Sequence, residues 1–135
     1  SDTLQHEWES LKQGQPLPLE ADIDPDKLDS IWDDCFLVQL KGERFLYEFL
    51  GQQLIEAYGD KYTTEQADRL LSIHHHRTTE RFREVADSQA PVSDDGEFKN
   101  SRGLLIRYRQ FLLQFTRANH DGVTHILGGM RWKIS

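Results

Sequence analysis

Three consecutive histidines, His74 to His76, are the residues of this sequence whose type most invites chemistry. A metal bound on a helix needs ligands on one face, usually two histidines four residues apart. Consecutive helical residues point about 100° apart, so the run lacks that geometry and we expect no metal site. We expect His74 and His75 to flank a buried stripe or to line a ligand cavity. His76 should face solvent, where it is spaced for a charge pair with Glu80.

Two further polar patterns each allow two interpretations. The aspartates of "DIDPD", residues 22–26, resemble a cation-binding run. Asp24 as a helix N-cap, followed by Pro25 at the first helical position, explains them better. In "RYR", Arg107 and Arg109 alternate and therefore share one face of a strand. That face is either a solvated sheet edge or a site that faces an anion.

The motifs of nucleophilic catalysis are missing from the sequence. It contains no G-x-S-x-G and no phosphate-binding glycine loop, and Cys35 has no histidine near it in sequence. A single cysteine excludes an internal disulfide and a cysteine-rich metal site, and it fits a reducing compartment. Beside "FLVQL", Cys35 is expected to be a small buried residue. We therefore predict no catalytic residues and no metal ligands, and the sequence identifies no cofactor.

Composition bounds the class of protein. The chain has 135 residues, 37% hydrophobic and 29% charged, which is typical of one globular domain spanning 1–135. A net charge of −7 argues against nucleic acid as a partner. The apolar runs are too short to span a membrane, so we expect a cytoplasmic protein without a membrane partner. The chain starts at Ser1 and its only methionine is Met130, so we expect a processed chain or a piece of a longer one.

The first 14 residues predict an amphipathic helix that flanks the rest of the domain. Leu4, Trp8 and Leu11 fall on one face, Asp2 can cap the start, and Gly14 can end the helix. A helix this short is marginal in water unless its apolar face is packed. It must lie either on its own sheet or on a second subunit.

The remaining elements predict an α+β domain with an antiparallel sheet. "CFLVQL" and "ERFLYEFL" read as a hairpin turning at Lys41–Gly42, with Phe45, Tyr47 and Phe49 on one face. A short helix from Gly51 to Gly59 should bury Leu54, Ile55 and Tyr58. A longer helix, capped by Thr63 and Gln66 and ending near Gln89, should bury Ala67, Leu71, Thr78, Phe82 and Val85. Strands follow Pro91, with a turn at Asp95–Gly96. A strand over residues 103–116 is long enough that we expect it to bend, and a final strand begins at Val123.

In order along the chain, these motifs resemble a PAS-like family of small bacterial proteins. The matching features are Trp8, Pro18 and "DIDP" at Asp22–Pro25; Tyr47, Gly51 and Gly59 around the strand-to-helix switch; and Tyr108, the "DG" at Asp121–Gly122 and "ILG" at Ile126–Gly128. The resemblance implies the PAS fold, a sheet of about five antiparallel strands with helices on one face. The sheet and its helices would span 33–135, and Gly51 would stand where the strand turns into a helix in a conformation that suits glycine.

The resemblance also implies a place for a ligand. The aromatic residues Phe45, Tyr47, Phe49, Tyr58, Phe82 and Phe111 are expected to face the space between sheet and helices, where they either fill a core or surround a small molecule. For the second case the predicted ligand-binding residues are Tyr47, Tyr58, His74, His75, Phe82 and Phe111.

The function expected from this reading is a non-catalytic sensory or interaction module in bacterial signalling. Its partners would be a small-molecule ligand, a second copy of the chain or a signalling protein. Because helices that flank PAS domains often form the dimer contact, the resemblance also implies a homodimer with Leu4, Trp8 and Leu11 in its interface. Three alternatives stay open: an interaction adaptor with a filled core, a haem- or flavin-binding sensor with His74 or His75 as the haem ligand, and a small enzyme on an α+β sheet.

Overall fold

A computed structural model of the chain describes residues 2–59 and 81–135. Most of the helix predicted from Thr63 lies outside these ranges, and so do His74, His75 and His76. Residues 81–86 are helical, and both Phe82 and Val85 are fully buried, as the stripe predicted. The other predictions that lie outside the described residues concern Ala67, Leu71, Thr78 and the pairing of His76 with Glu80.

Five antiparallel strands form one sheet in the order β2-β1-β5-β4-β3, which confirms the predicted α+β class. The strands are β1 Cys35–Lys41, β2 Arg44–Leu50, β3 Val92–Lys99, β4 Leu105–Phe115 and β5 His125–Ile134. The helices named here are α1 Asp2–Lys12, α2 Pro25–Leu28 and α3 Gln52–Ala57, with 3-10 turns at Glu20–Asp22 and Asp29–Asp34. Asp24 caps α2 as predicted, since its carboxylate accepts a hydrogen bond from the Asp26 amide at 3.0 Å.

Each face of the sheet has its own apolar layer. The inner face is covered by α3 and the helical residues 81–86, and its buried residues include Phe36, Leu54, Phe82, Ile106 and Met130. The outer face is covered at one end by α1 and α2, and its buried residues include Leu4, Trp8, Leu113, Phe115 and Leu127. Burial on both faces explains why β1, β4 and β5 are apolar at consecutive positions over part of their length.

The helix α1 lies on its own sheet. Leu4 and Trp8 are only 2% and 1% exposed within a single chain. The Trp8 indole donates a hydrogen bond to the Gln114 carbonyl at 2.6 Å, and Lys12 lies over its ring. These two side chains therefore have almost no surface left to offer a second subunit while α1 stays in this position. Leu11 is half-buried.

The grouping of Phe49 with Phe45 and Tyr47 is wrong, because β2 carries a bulge. Leu37 pairs with Phe49 and Val38 pairs with Tyr47, so Glu48 is an extra residue in the ladder. The insertion reverses the alternation beyond it. Phe49 consequently lies on the outer face, where its ring stacks on Trp32 with centroids 4.3 Å apart.

Gly51 does stand at the strand-to-helix switch, but the reason differs from the predicted one. Its φ of −64° and ψ of 152° are open to any residue. A Cβ at this position would lie 2.2 Å from the Asp33 carbonyl oxygen and 2.8 Å from that of Cys35. Glycine is needed here because two backbone segments pass too close for a side chain.

The turn predicted at Asp95–Gly96 is wrong as well, since β3 runs straight through these residues. Gly96 pairs with Tyr108 across the ladder, and a Cβ on Gly96 would lie 2.3 Å from the Tyr108 hydroxyl oxygen. The glycine therefore leaves room for a tyrosine ring that lies across the strand. This is a close side-chain approach, a second use that glycine has inside strands.

Candidate functional site

The interior between the sheet and the inner-face helices brings several phenol rings together. Tyr47 comes from β2, Tyr58 follows α3 directly, and Tyr108 comes from β4. Among the described residues around them, the Gln110 side chain is polar and the others are aromatic or aliphatic. The described residues that line this space are Phe36, Tyr47, Leu54, Tyr58, Phe82, Phe98, Tyr108, Gln110 and Met130.

The phenols of Tyr47 and Tyr58 stay neutral. Tyr47 is half-buried, and burial of its phenol raises its pKa despite a hydrogen bond with Tyr58. Burial also raises the pKa of Tyr58 well above its ordinary value, with the neighbouring Tyr47 and Tyr108 adding to the shift. Such phenols can offer hydroxyl groups to a ligand, but they cannot serve as a general base near neutral pH.

The space that these side chains enclose is small. It measures about 20 Å³ between the described lining residues. Several rings fill the interior: Phe82 packs on Phe45 and Phe36 with centroids 5.4 and 5.9 Å apart, and Tyr58 stacks on Phe98 at 5.2 Å. A volume of this size accommodates one water, since a water needs roughly 10–15 Å³ of such space.

A glutamine of β4 ties the helical residues 81–86 to the sheet. The Gln114 amide donates to the Val85 carbonyl at 3.1 Å and to the Ala90 carbonyl at 2.7 Å, and the side chain is fully buried. A second link joins Arg81 to Asp94 of β3 at 3.4 Å. These bonds hold the end of the helix, and with it Phe82, over the interior.

The structure brings together only part of the predicted ligand-binding set. Tyr47, Tyr58 and Phe82 surround the interior, whereas His74 and His75 lie outside the described residues. Phe111 is on the opposite face, paired with Gly129 of β5 and lining an outer pocket.

The bare end of the outer face carries four exposed cations, which we call the cationic strip: Arg107 and Arg109 of β4, and Arg131 and Lys133 of β5. The ladder places Arg107 opposite Lys133 and Arg109 opposite Arg131. On the other side of β4, Glu97 faces Arg107 and Asp95 faces Arg109.

The outward-facing acids of β3 pair with the arginines of β4. Arg109 bonds the Asp95 carboxylate at 2.9 Å, which lowers the pKa of that acid, and Arg107 lies 4.0 Å from Glu97. The predicted shared face of Arg107 and Arg109 is thus an open sheet face with a shallow depression of about 660 Å³ above it.

An outer pocket adjoins the cationic strip where α1 stops covering the sheet. It has a volume of about 300 Å³, and Leu4, Ile31 and Phe111 give it apolar walls. Arg109 and Arg131 line both this pocket and the depression above the strip, so the two spaces meet.

The sequence missed several residues of both regions, although its alternation carried the signal. In β4 the even positions Ile106, Tyr108, Gln110 and Leu112 face inward and the odd positions face outward. The same phase in β5 puts Arg131 and Lys133 outside. Counting from Arg107 by twos would also have placed Phe111 outside.

A buried polar group at the other end of the sheet has a structural role. His125 is 1% exposed, with one ring nitrogen 2.8 Å from the Thr124 hydroxyl and the other 3.3 Å from the Glu48 carboxylate. The Thr124 amide and carbonyl both join backbone hydrogen bonds, to Phe115 and Leu40. The arrangement satisfies the bulge residue Glu48 and closes this end of the sheet.

Cys35 is fully buried, and its thiol lies 3.3 Å from the Ile31 carbonyl oxygen. Burial raises its pKa to about 12, and the charge of Asp34 adds to the shift. A nucleophilic thiolate is therefore disfavoured, and the residue packs as the small buried side chain that was predicted.

Neither metal binding nor membrane spanning finds a basis in residues 2–59 and 81–135. No group of three or more His, Cys, Asp or Glu side chains in these ranges is placed to hold a metal ion. The helices of the same ranges include none with the length and apolarity to cross a bilayer.

Comparison with known proteins places the chain in a family. A family model described as a PAS domain matches residues 1–131. The chain belongs to the PAS domain family. PAS domains are in general non-catalytic sensory and interaction modules, and the five-stranded antiparallel sheet with its helices agrees with their fold.

One solved structure similar to this PAS domain is the PAS-B domain of Drosophila melanogaster Cycle, a tryptophan-to-alanine variant with bound glycerol. It is 13% identical, with a TM-score of 0.43, and the match covers 74% of this chain and 99% of that one. No curated protein matches the sequence.

Proposed function

We propose that this PAS domain is a non-catalytic interaction module with a filled interior, which signals through contacts with another protein. The observation that carries the proposal is the size of the space among Tyr47, Tyr58 and Tyr108, about 20 Å³. Pockets for drug-sized ligands and cofactors have volumes of about 300–1,000 Å³. A filled core is the feature that separates an interaction adaptor from a sensor that encloses a ligand.

The described interior does not fit a haem or a flavin. Either group would have to displace several of the rings that now touch one another, among them Phe36, Phe45 and Phe82. The two histidines considered as haem ligands, His74 and His75, lie outside the described residues. No step of the proposed function runs through such a group.

The chemistry of the interior also favours a module without catalysis. The pKa values of Tyr47 and Tyr58 are raised by burial, so both hydroxyls remain protonated at neutral pH. Cys35 is buried on the other face of the sheet with a raised pKa. Catalysis would need an accessible base or nucleophile in a cleft, and these groups do not supply one.

The homodimer and the bacterial signalling role implied by the resemblance are part of this proposal, and so is the cytoplasmic location expected from the sequence. A dimer contact through Leu4 and Trp8 requires α1 to leave the sheet, because both side chains are buried within the chain. With α1 in place, a partner has to use other surfaces.

The proposal is tested by what the purified protein carries. We expect an absorption spectrum with aromatic bands alone, and native mass spectrometry should give 15.8 kDa or a multiple of it without an added group. A visible absorption band, or an organic compound released in stoichiometric amount on denaturation, would contradict a filled interior. Denatured protein of the same preparation is the control, since its mass excludes covalent modification.

A further inference from the structure

We propose that the cationic strip and the outer pocket together form the docking surface for an acidic segment of a partner protein, one that carries an apolar side chain beside its carboxylates. The inference rests on the proposed function, because it assigns the partner contact of that interaction module to one surface. Four features of the outer face support it: the local charge, the cross-strand arrangement of the cations, the adjoining pocket and the acids at the edge.

The local charge of this face is opposite to that of the whole chain. The strip has four cations, while Asp95 and Glu97 beside it and Asp34 in the wall of the outer pocket supply three negative charges, which leaves the surface at +1. The chain as a whole has a net charge of −7. Positive charge concentrated on one face of an acidic protein directs the approach of a negatively charged partner to that face.

The arrangement of the cations is unfavourable in the isolated domain. Arg107 faces Lys133 and Arg109 faces Arg131 on neighbouring strands. Like charges directly opposite one another in a sheet are destabilising. A carboxylate between two facing cations would attract both of them and so offset their mutual repulsion. An arginine can bind the carboxylate through a bidentate hydrogen bond.

The acids of β3 leave half of the strip open. They pair with Arg107 and Arg109, whereas no ion pair within 4.0 Å joins Arg131 or Lys133 to a residue in the described ranges, and Asp34 of the outer pocket interacts with Arg131 only at longer range. Because neighbouring strands lie about 4.8 Å apart, one incoming segment can reach both cross-strand pairs, Arg107 with Lys133 and Arg109 with Arg131. The segment therefore needs at least two carboxylates, one for each cross-strand pair.

The outer pocket supplies the apolar part of the recognition. It has a volume of about 300 Å³, lies between Leu4, Ile31 and Phe111, and opens beside Arg109 and Arg131. This volume lies at the lower end of the range for ligand pockets and has room for one aromatic or leucine side chain. At protein interfaces a side chain anchored in a pocket commonly supplies affinity, and the charge pairs around it supply specificity.

The acids at the edge favour a protein segment over a polyanion. Asp95 and Glu97 would repel a continuous phosphate backbone, and so would the net charge of the chain. A peptide can place its carboxylates on the β5 side of the strip and avoid the β3 acids. A second copy of this chain laid face to face would bring cations against cations.

Fluorescence anisotropy with a short fluorescein-labelled peptide tests the proposal. The probe has one central phenylalanine with glutamates on both sides. Two control peptides replace the glutamates by glutamine or the phenylalanine by serine. We expect saturable binding of the first peptide to the full chain, weakened by added salt, and weaker binding of both controls.

Variants of the strip locate the site. Arg131→Ala combined with Lys133→Ala should weaken peptide binding at least about tenfold, which corresponds to ~1.4 kcal/mol. The matched control combines Lys41→Ala with Arg44→Ala, a cross-strand pair of exposed cations at the β1–β2 hairpin, and should leave binding nearly unchanged. Both pairs lower the charge by the same amount, so an equal loss in the two variants would overturn a specific site.

Other occupants would give different results. The proposal would be overturned if the glutamine peptide bound as tightly as the glutamate peptide. It would also be overturned if the Arg131 and Lys133 variant bound the glutamate peptide with unchanged affinity. So would tighter binding of single-stranded RNA or of vesicles containing anionic lipid, if it depends on the same two residues. Concentration-dependent association that the strip variant abolishes would assign the face to a second copy instead. A co-purified ligand would contradict the filled interior alone, so the two proposals fail separately.

Discussion

The outer face of the sheet has two halves that lie on the same strands and differ in what covers them. At one end Leu113 and Phe115 of β4 and Leu127 of β5 lie beneath α1. At the other end the same outward phase of the same strands carries the cationic strip, with Leu105 beyond it at the start of β4. Strand alternation decides which face a side chain takes. On the outer face, the side chains beneath the helix are apolar and those of the cationic strip, which has no cover, are charged.

The boundary between the halves is sharp. Phe111 and Gly129 form the last row that α1 reaches, and the next row is Arg109 with Arg131. Within one step of the ladder the face changes from a core to a charged surface. We interpret the covered half as the part that stabilises the domain and the bare half as the part reserved for a partner.

The largest expected effect comes from breaking the covered half. Trp8→Ala removes a fully buried ring and the indole hydrogen bond to the Gln114 carbonyl. A tryptophan truncated in a core costs about 3–5 kcal/mol. Urea denaturation should show this loss of unfolding free energy, and Trp8→Phe should lose less because it retains most of the apolar volume.

Light scattering on the same proteins separates this prediction from a Trp8-mediated dimer. If Trp8 contacts its own sheet, the alanine variant loses stability at every protein concentration. A variant that keeps its unfolding free energy but changes from dimer to monomer would return Trp8 to an intersubunit contact. Leu11→Ala, at a half-buried position of the same helix, is the control for a general effect on α1.

The sequence was informative where local pattern and tertiary environment agree. Asp24 at its cap, the β1–β2 hairpin and the burial of Phe82 all follow from short-range signals. Phe111 could also have been placed, since its phase matches that of Arg107. The order of motifs indicated the PAS family without any structure.

Other features depend on contacts between distant segments and had no local signal. The bulge at Glu48 moves Phe49 to the outer face, yet the surrounding residues are ordinary for a strand. Gly51 is visible as a glycine, but its reason is the backbone of Asp33, 18 positions away in the sequence. Whether the interior is full or hollow depends on how rings from five elements meet, which periodicity does not encode.

A smaller effect is expected at the boundary row. A Cβ on Gly129 would lie 2.4 Å from the Leu4 side chain, which is buried and must shift. Overpacking of this kind costs about 1–3 kcal/mol, so Gly129→Ala should lower the thermal midpoint less than Trp8→Ala does.

Ser93→Ala is the control for Gly129→Ala, since Ser93 is an exposed residue that pairs with Phe111 in the same row. It should leave the thermal midpoint almost unchanged. If Gly129→Ala is equally neutral, Leu4 can move freely and α1 is less firmly docked than its burial indicates.

The smallest expected effect lies in the bare half and has the opposite sign. Lys133→Glu replaces a like-charge pair with Arg107 by an opposite-charge pair, and cross-strand pairs of this kind are worth about 0.2–1 kcal/mol. Thermal denaturation at low salt should therefore show Lys133→Glu as more stable than the parent, with Lys133→Gln between them because it only removes the repulsion. Added salt should shrink both differences, since exposed charges are screened.

The same two variants should bind the acidic peptide more weakly than the parent, with Lys133→Glu the weakest and Lys133→Gln between them. A stability gain paired with a binding loss is the result expected of a face that is kept charged for a partner. A variant that loses stability together with binding would mean that Lys133 supports the sheet itself.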